Sequence, residues 1–207
     1  MVYKIEKISR PKFDRVYKKS MRELSSFFRI NWNQNPPKLI LVPDRKTIDF
    51  LKGEKTEEWV IGWASKGNVY LLDDKNFEKE SNHKYSDKEY FALIKHELAH
   101  CFSSVVSNSS GKPIWLLEGI SIYLSGQDKL KTRPKKLTKF IDFFDKSGKG
   151  VYLESGFAVA FLVKKYGEKK LLHLLKASKE AMSKKSFAKL FRSIYGFELS
   201  YKNFKIA

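Results

Sequence analysis

The sequence lacks the disulfide-forming cysteines typical of small secreted proteins and the long apolar runs that anchor a chain in a membrane. It has a single cysteine, Cys101, so no internal disulfide can form. It has no run close to the roughly 18 apolar residues of a membrane helix, and residues 1–15 mix charged and apolar side chains where a signal peptide would be apolar. Because one free cysteine also fits a reducing compartment, we expect a cytoplasmic protein without a membrane segment.

Negative charge is scarce as well. The chain carries 41 Lys and Arg against 23 Asp and Glu, a formal net charge of +18. Such a charge can attract nucleic acid, anionic membrane or acidic polypeptides. Lysine far outnumbers arginine, which is the residue that favours base readout and two-pronged phosphate contacts, and the one dense basic cluster covers residues 129–139. We therefore favour a solvated basic surface over dedicated nucleic-acid binding, which stays open as an alternative.

The composition indicates a folded chain of mixed class. Hydrophobic residues make up 42% and aromatic residues 14%, too many for a chain that stays disordered. We expect residues 1–207 to form a single α+β domain, with an α/β lobe at about 1–107 and a helical lobe at about 108–207. A strand at residues 38–42 and a hairpin at residues 59–72 would form a small sheet. Residues 135–146 are expected to form one of the helices of the second lobe.

Two helices are predicted at the centre of the chain. Ser86 followed three residues later by Glu89 has the form of a capping box and should start the first. Pro113 suits the first turn of the second helix, and Gly126 suits the position after its last. Apolar residues of the first helix recur at helical spacing, which predicts a buried face: Phe91, Ile94, Leu98, Phe102 and Val105.

These helices carry a candidate metal site. His96 and His100 are four residues apart, so their imidazoles lie on one helical face and can reach a single ion. Catalytic zinc takes three protein ligands and keeps an open position for water, and Glu118 of the second helix can supply the third ligand. Singly, these residues would be ordinary core or surface side chains. Buried together without a cation they would cost on the order of several kcal/mol, so we predict one bound Zn²⁺.

The pattern His96-Glu97-x-x-His100 with the later Glu118 resembles the gluzincin zinc metallopeptidases, especially the peptidase MA-like catalytic domains of the aminopeptidase N type and their small stand-alone relatives. The resemblance covers residues 59–207 and is tightest at 93–124. It implies a thermolysin-like fold with the small sheet over the metal-binding helix. It also implies zinc-dependent hydrolysis of a peptide or protein substrate, with Glu97 as the general base that activates water.

The resemblance implies roles for two further segments. The strand before the metal helix would bind an extended substrate through Gly62, Trp63, Ala64 and Ser65. Aminopeptidases carry a glutamate beside this strand for the substrate's free amine, and residues 61–72 contain no acidic residue, which favours an endopeptidase. Tyr152 aligns with a tyrosine that stabilises the oxyanion in the family. A structural tyrosine in the first turn of a helix is the competing interpretation.

Three other interpretations differ in chemistry. A non-hydrolytic zinc protein could use its basic surface on nucleic acid or an acidic partner, although such a protein has no need of a base at Glu97. A structural zinc site would be expected to have a fourth protein ligand, and none is evident. A cysteine mechanism pairing Cys101 with His100 is disfavoured, because adjacent helical residues diverge by about 100°.

Overall fold

The small sheet predicted from the sequence has three strands. The computed structural model describes residues 6–181 and 183–205. The strands are β1 (Leu39–Val42), β2 (Gly62–Ser65) and β3 (Asn68–Leu72), in the order β1-β3-β2. β1 runs parallel to β3, and β2 runs antiparallel to it. The β2–β3 hairpin turns through Lys66 and Gly67, both at positive φ as a two-residue hairpin requires.

Helices cover the sheet and continue the chain. The connection from β1 to β2 contains α2 (Arg45–Lys52), which Asp44 caps by accepting a hydrogen bond from the Thr47 amide. The elements before, between and after are α1 (Pro11–Phe28), α3 (Phe77–Glu80), α4 (Asp87–Val106), α5 (Ile114–Ser125), α6 (Lys149–Tyr166), α7 (Glu168–Ala177) and α8 (Lys184–Tyr195). Buried residues from both halves of the chain form one hydrophobic cluster. No helix in these described ranges is long and apolar enough to cross a membrane.

The start of α4 agrees with the sequence prediction. The hydroxyl of Ser86 accepts a hydrogen bond from the Glu89 amide and donates one to the Glu89 carboxylate. Ile94, Leu98 and Phe102 are fully buried beneath the sheet and α1, as their spacing predicted. The prediction was wrong for Val105, which is 54% exposed because it faces a surface cleft and not the core.

α5 and α6 approach each other closely through two glycines. A Cβ atom added at Gly119 would lie 2.6 Å from the carbonyl oxygen of Ser155, and one added at Gly156 would lie 2.3 Å from Cγ2 of Ile122. Only glycine fits at both positions. Gly119 directly follows Glu118, so this tight crossing determines how far that carboxylate reaches toward α4.

The helix predicted at residues 135–146 is absent from the structure. The segment contains only a short 3₁₀ turn, Phe140–Asp142. Its backbone makes its hydrogen bonds elsewhere: three successive amides at its start donate to the buried carboxylate of Glu154, and the carbonyls of Phe143 and Phe144 accept hydrogen bonds from the first amides of α5. These contacts with distant residues replace the bonds that a helix would make within itself.

Candidate metal centre

The structure brings the two histidines and the distant glutamate together. His96 and His100 lie one turn apart in the middle of α4, and Glu118 reaches them from α5. Oε2 of Glu118 lies 3.3 Å from Nε2 of His96 and 3.5 Å from Nε2 of His100, and the two nitrogens are 3.1 Å apart. Among the residues that the structure describes, these three form the cluster that could hold a metal ion.

The spacing of these three atoms fits a zinc ion. Ligands at about 2.0–2.2 Å from a tetrahedral zinc lie about 3.3–3.6 Å from one another, close to the three observed distances. Oε2 of Glu118 is buried and makes no hydrogen bond of regular geometry, so it needs a cation beside it, either a metal ion or a protonated imidazole. Nδ1 of His96 is also buried and has no hydrogen-bond partner in the described chain.

The charges in the cluster are strongly coupled. Burial alone would raise the pKa of Glu118, but the neighbouring imidazoles outweigh burial and lower it far below its usual value. Burial would likewise lower the pKa of His100, but the carboxylates of Glu118 and Glu97 raise it to about 9. Without metal, a proton therefore occupies the position between His100 and Glu118 at neutral pH, and a metal ion binding there would displace it.

Glu97 lies beside the cluster on the next residue of α4. Its side chain is only 6% exposed, and burial raises its pKa, while the two imidazoles oppose that effect. A Cβ added at Gly62 of β2 would lie 3.5 Å from Cγ of Glu97, so the strand packs against this side chain. Glu97 thus lies between the metal cluster and the sheet edge.

The cluster opens into a cleft of about 1500 Å³. His96, Glu97, His100 and Glu118 line it, as does every residue of β2, the strand predicted to bind substrate. Trp59 stands at its wall, 40% exposed, with its ring 6.3 Å from that of Tyr152. The volume is large enough for a segment of extended peptide.

β2 presents a free edge to this cleft. Ile61 accepts a hydrogen bond from the Leu72 amide, and hydrogen-bonded pairs alternate along an antiparallel ladder. Every second residue from Ile61 onward therefore pairs with β3, and the backbone groups of Gly62 and Ala64 point the other way. Within the described ranges no further strand pairs with that edge.

Tyr152 lies in the first turn of α6 and lines the same cleft. Burial and the charge of Glu118 raise its pKa to about 12, so its hydroxyl keeps its proton at neutral pH and can donate a hydrogen bond. Ser147 is its nearest hydroxyl partner, at 3.4 Å, which is a long contact. The hydroxyl is free to turn toward a substrate, and its catalytic role stays a prediction.

Sequence reasoning missed Lys131, which it grouped with the surface cluster at 129–139. The side chain is partly buried, lines the cleft, and donates a hydrogen bond of 2.8 Å from Nζ to the carbonyl oxygen of Tyr152. Burial lowers its pKa, against the nearby charges of Glu118 and Asp128. Nothing in the sequence distinguishes this lysine from its neighbours, because its burial results from the packing of α5 against α6.

The site bears on two of the rival interpretations. Burial raises the pKa of Cys101 to about 12, so its thiol is protonated at neutral pH and is a poor nucleophile. In the described part of the chain no fourth His, Cys, Asp or Glu joins the cluster, as a structural zinc site would require.

Comparison of the chain with protein-family models, with curated protein sequences and with solved structures found no match. The interpretation of the site therefore depends on the geometry of these residues and on their chemistry.

Proposed function

We propose that the protein is a zinc metallopeptidase of the gluzincin type with a thermolysin-like catalytic domain. One observation carries the proposal: three lone-pair donors on α4 and α5 converge at zinc-ligand spacing, with a buried carboxylate beside them at the floor of a peptide-sized cleft. His96, His100 and Glu118 would hold the ion. A zinc ion held there would polarise the carbonyl of the scissile bond and lower the pKa of water toward about 7.

Glu97 acts as the general base. It adjoins His96 in the helix, so its carboxylate points away from the common ligand position and cannot join the other three without distorting α4. Its raised pKa suits a group that accepts a proton from the attacking water and then donates it to the leaving amine. A carboxylate of ordinary pKa would hold that proton less well.

The substrate binds as an extended strand against β2. The free backbone groups of Gly62 and Ala64 can pair with a peptide in the manner of β-augmentation, and Trp63 and Ser65 provide the rest of the strand. Gly62 lies beside Glu97, which brings a peptide on this edge to the base. The hydroxyl of Tyr152 donates a hydrogen bond to the developing oxyanion. Residues 61–72 contain no acidic side chain for a free amine, which favours endopeptidase activity.

The test combines metal analysis with a peptide-library digest of the purified protein. We expect one zinc per chain and cleavage that a chelator abolishes. Glu97→Gln should keep the zinc and lose turnover by about 10²–10⁴-fold, the usual contribution of a general base. The exposed Glu180→Gln serves as the control for a lost carboxylate and should behave like the parent protein.

Two outcomes would replace the proposal. Unchanged turnover in Glu97→Gln removes Glu97 from the mechanism. A zinc-loaded protein that cleaves no library peptide but binds oligonucleotides or an acidic protein in a salt-dependent way would instead be the non-hydrolytic binding protein.

A further inference from the structure

Lys131 is a cation without a counter-charge in contact with it. It follows a short 3₁₀ turn, Gln127–Leu130, and its ammonium is held by one neutral acceptor, the carbonyl oxygen of Tyr152. Within the described residues no carboxylate oxygen lies within 4.0 Å of its Nζ, the limit for an ion pair. Glu118 and Asp128 act on it only from a longer distance. An ammonium group in a partly buried position is costly unless an anion pairs with it.

The charges along the rest of the cleft have the same sign. Once the metal cluster and Glu97 are set aside, the cleft is lined by three exposed lysines, Lys52, Lys66 and Lys84, and by a single carboxylate, that of Glu89. Nζ of Lys52 stands 5.7 Å from the centre of the Trp63 ring, beside the substrate edge. A cleft with this balance attracts negatively charged ligands and repels cationic ones.

Lys131 differs from these exposed lysines in being fixed. An ammonium group has three N–H donors, and the bond to Tyr152 uses one of them. The remaining two are available to the cleft, which Lys131 lines together with the metal cluster. A lysine already held in place loses less side-chain entropy on binding an anion than a fully exposed one does.

We propose that Lys131 binds a carboxylate of the substrate next to the scissile bond, so that the cleft selects acidic peptides. The inference depends on the proposed function for the identity of the substrate. The carboxylate has two possible sources: the side chain of Glu or Asp, which agrees with endopeptidase activity, and the free C-terminus of the peptide, which would make the enzyme a carboxypeptidase. Lys131 is a specificity-determining residue in either case, and the exposed lysines raise the rate of encounter.

The test uses four variants of one peptide, whose otherwise uncharged sequence is taken from the library digest. They carry Glu or Gln beside the scissile bond, and each is made with a free or an amidated C-terminus. For the parent protein we expect kcat/KM to be about 10- to 100-fold higher for the peptide with the bound carboxylate, the usual range for a charge-assisted hydrogen bond. A preference for Glu identifies a side chain, and a preference for the free acid identifies the C-terminus.

The variants separate this role from a structural one. Lys131→Met should abolish the preference, so that the ratio of kcat/KM between the favoured peptide and the amidated Gln peptide falls to about 1. Lys131→Arg should retain much of it. The exposed Lys179→Met, which removes the same charge at a site outside the cleft, should leave it intact. Equal rates for the four peptides in the parent protein, or an undiminished preference in Lys131→Met, would overturn the inference.

A binding measurement decides the matter without catalysis. Zinc-loaded Glu97→Gln, with and without Lys131→Met, is titrated with the same peptides, or with a neutral peptide through which one Glu is moved if the digest yields no cleavage site. Tighter binding of an acidic peptide that depends on Lys131 supports the inference even if no peptide is hydrolysed, in which case only the proposed function fails. Equal affinities would refute the role of Lys131 and leave the metallopeptidase proposal standing.

Discussion

Gly119→Ala tests whether the α5–α6 crossing determines the position of Glu118. In a helix with free space, this change would stabilise the protein by about 1 kcal/mol, because alanine has the higher helix propensity. Here the new Cβ would lie 2.6 Å from the carbonyl oxygen of Ser155 and 2.7 Å from Cγ2 of Val159. Overpacking of this kind costs about 1–3 kcal/mol, and main-chain atoms cannot move aside as a side chain can. The cost should therefore lie in the upper half of that range, and after the gain in helix propensity we expect a net loss of about 1–2 kcal/mol.

Separating α5 from α6 should also weaken metal binding. Glu118 precedes Gly119, and its 3.3 Å and 3.5 Å contacts with the imidazoles leave little room for a shift. The free energy of unfolding is measured by denaturant titration of the metal-free protein, and zinc affinity by competition with a chelator. Adding Val159→Ala should rescue little, because the nearest obstacle is a backbone oxygen. A Gly119→Ala protein that is as stable as the parent or more stable would refute the reasoning.

Two other predictions concern charge and loop order. The pKa of His100 is raised from 6.5 to about 9, so the metal-free protein should be most stable below pH 6.5 and should lose up to about 3 kcal/mol as the pH rises to 9. Zinc replaces the proton, so the free energy of unfolding of the zinc-loaded protein, measured by denaturant titration, should not fall over this pH range. The same pH dependence in the metal-free and the zinc-loaded protein would contradict the prediction. The guanidinium of Arg45 donates six hydrogen bonds. Four go to the loop before β2, to the Thr56 hydroxyl and the carbonyls of residues 57, 58 and 60, and two go to the carbonyl of Glu80. Arg45→Met should accelerate amide exchange across residues 56–60, and unchanged exchange there would show that other contacts hold the loop.

The sequence predicted those elements whose signals are local. Ser86 starts a helix by accepting a hydrogen bond from the amide three residues ahead, and Gly126 ends one at positive φ, so each signal lies within a single turn of the chain. The alternation and turn residues at 59–72 likewise predicted the hairpin, because its two strands are neighbours in sequence.

The helix predicted at residues 135–146 was wrong because the contacts that decide this segment are not local. Its apolar spacing is helical, but the buried carboxylate of Glu154 and the first amides of α5 take its backbone hydrogen bonds. These hydrogen-bond partners lie outside the segment, so the spacing of its own residues cannot indicate them. Lys131 was overlooked for the same reason, since its burial depends on how α5 and α6 pack.

By itself the sequence determined the common helical face of His96 and His100, because a spacing of four residues in a helix admits no other arrangement. It also supplied the carboxylate of Glu97 between them and the excess of positive charge. Only the tertiary structure decided that Glu118 reaches both imidazoles, that β2 leaves a free edge beside Glu97, and that Lys131 is partly buried in the wall of the cleft. These features depend on distances between separate elements, which packing sets at contacts such as Gly119 against Ser155.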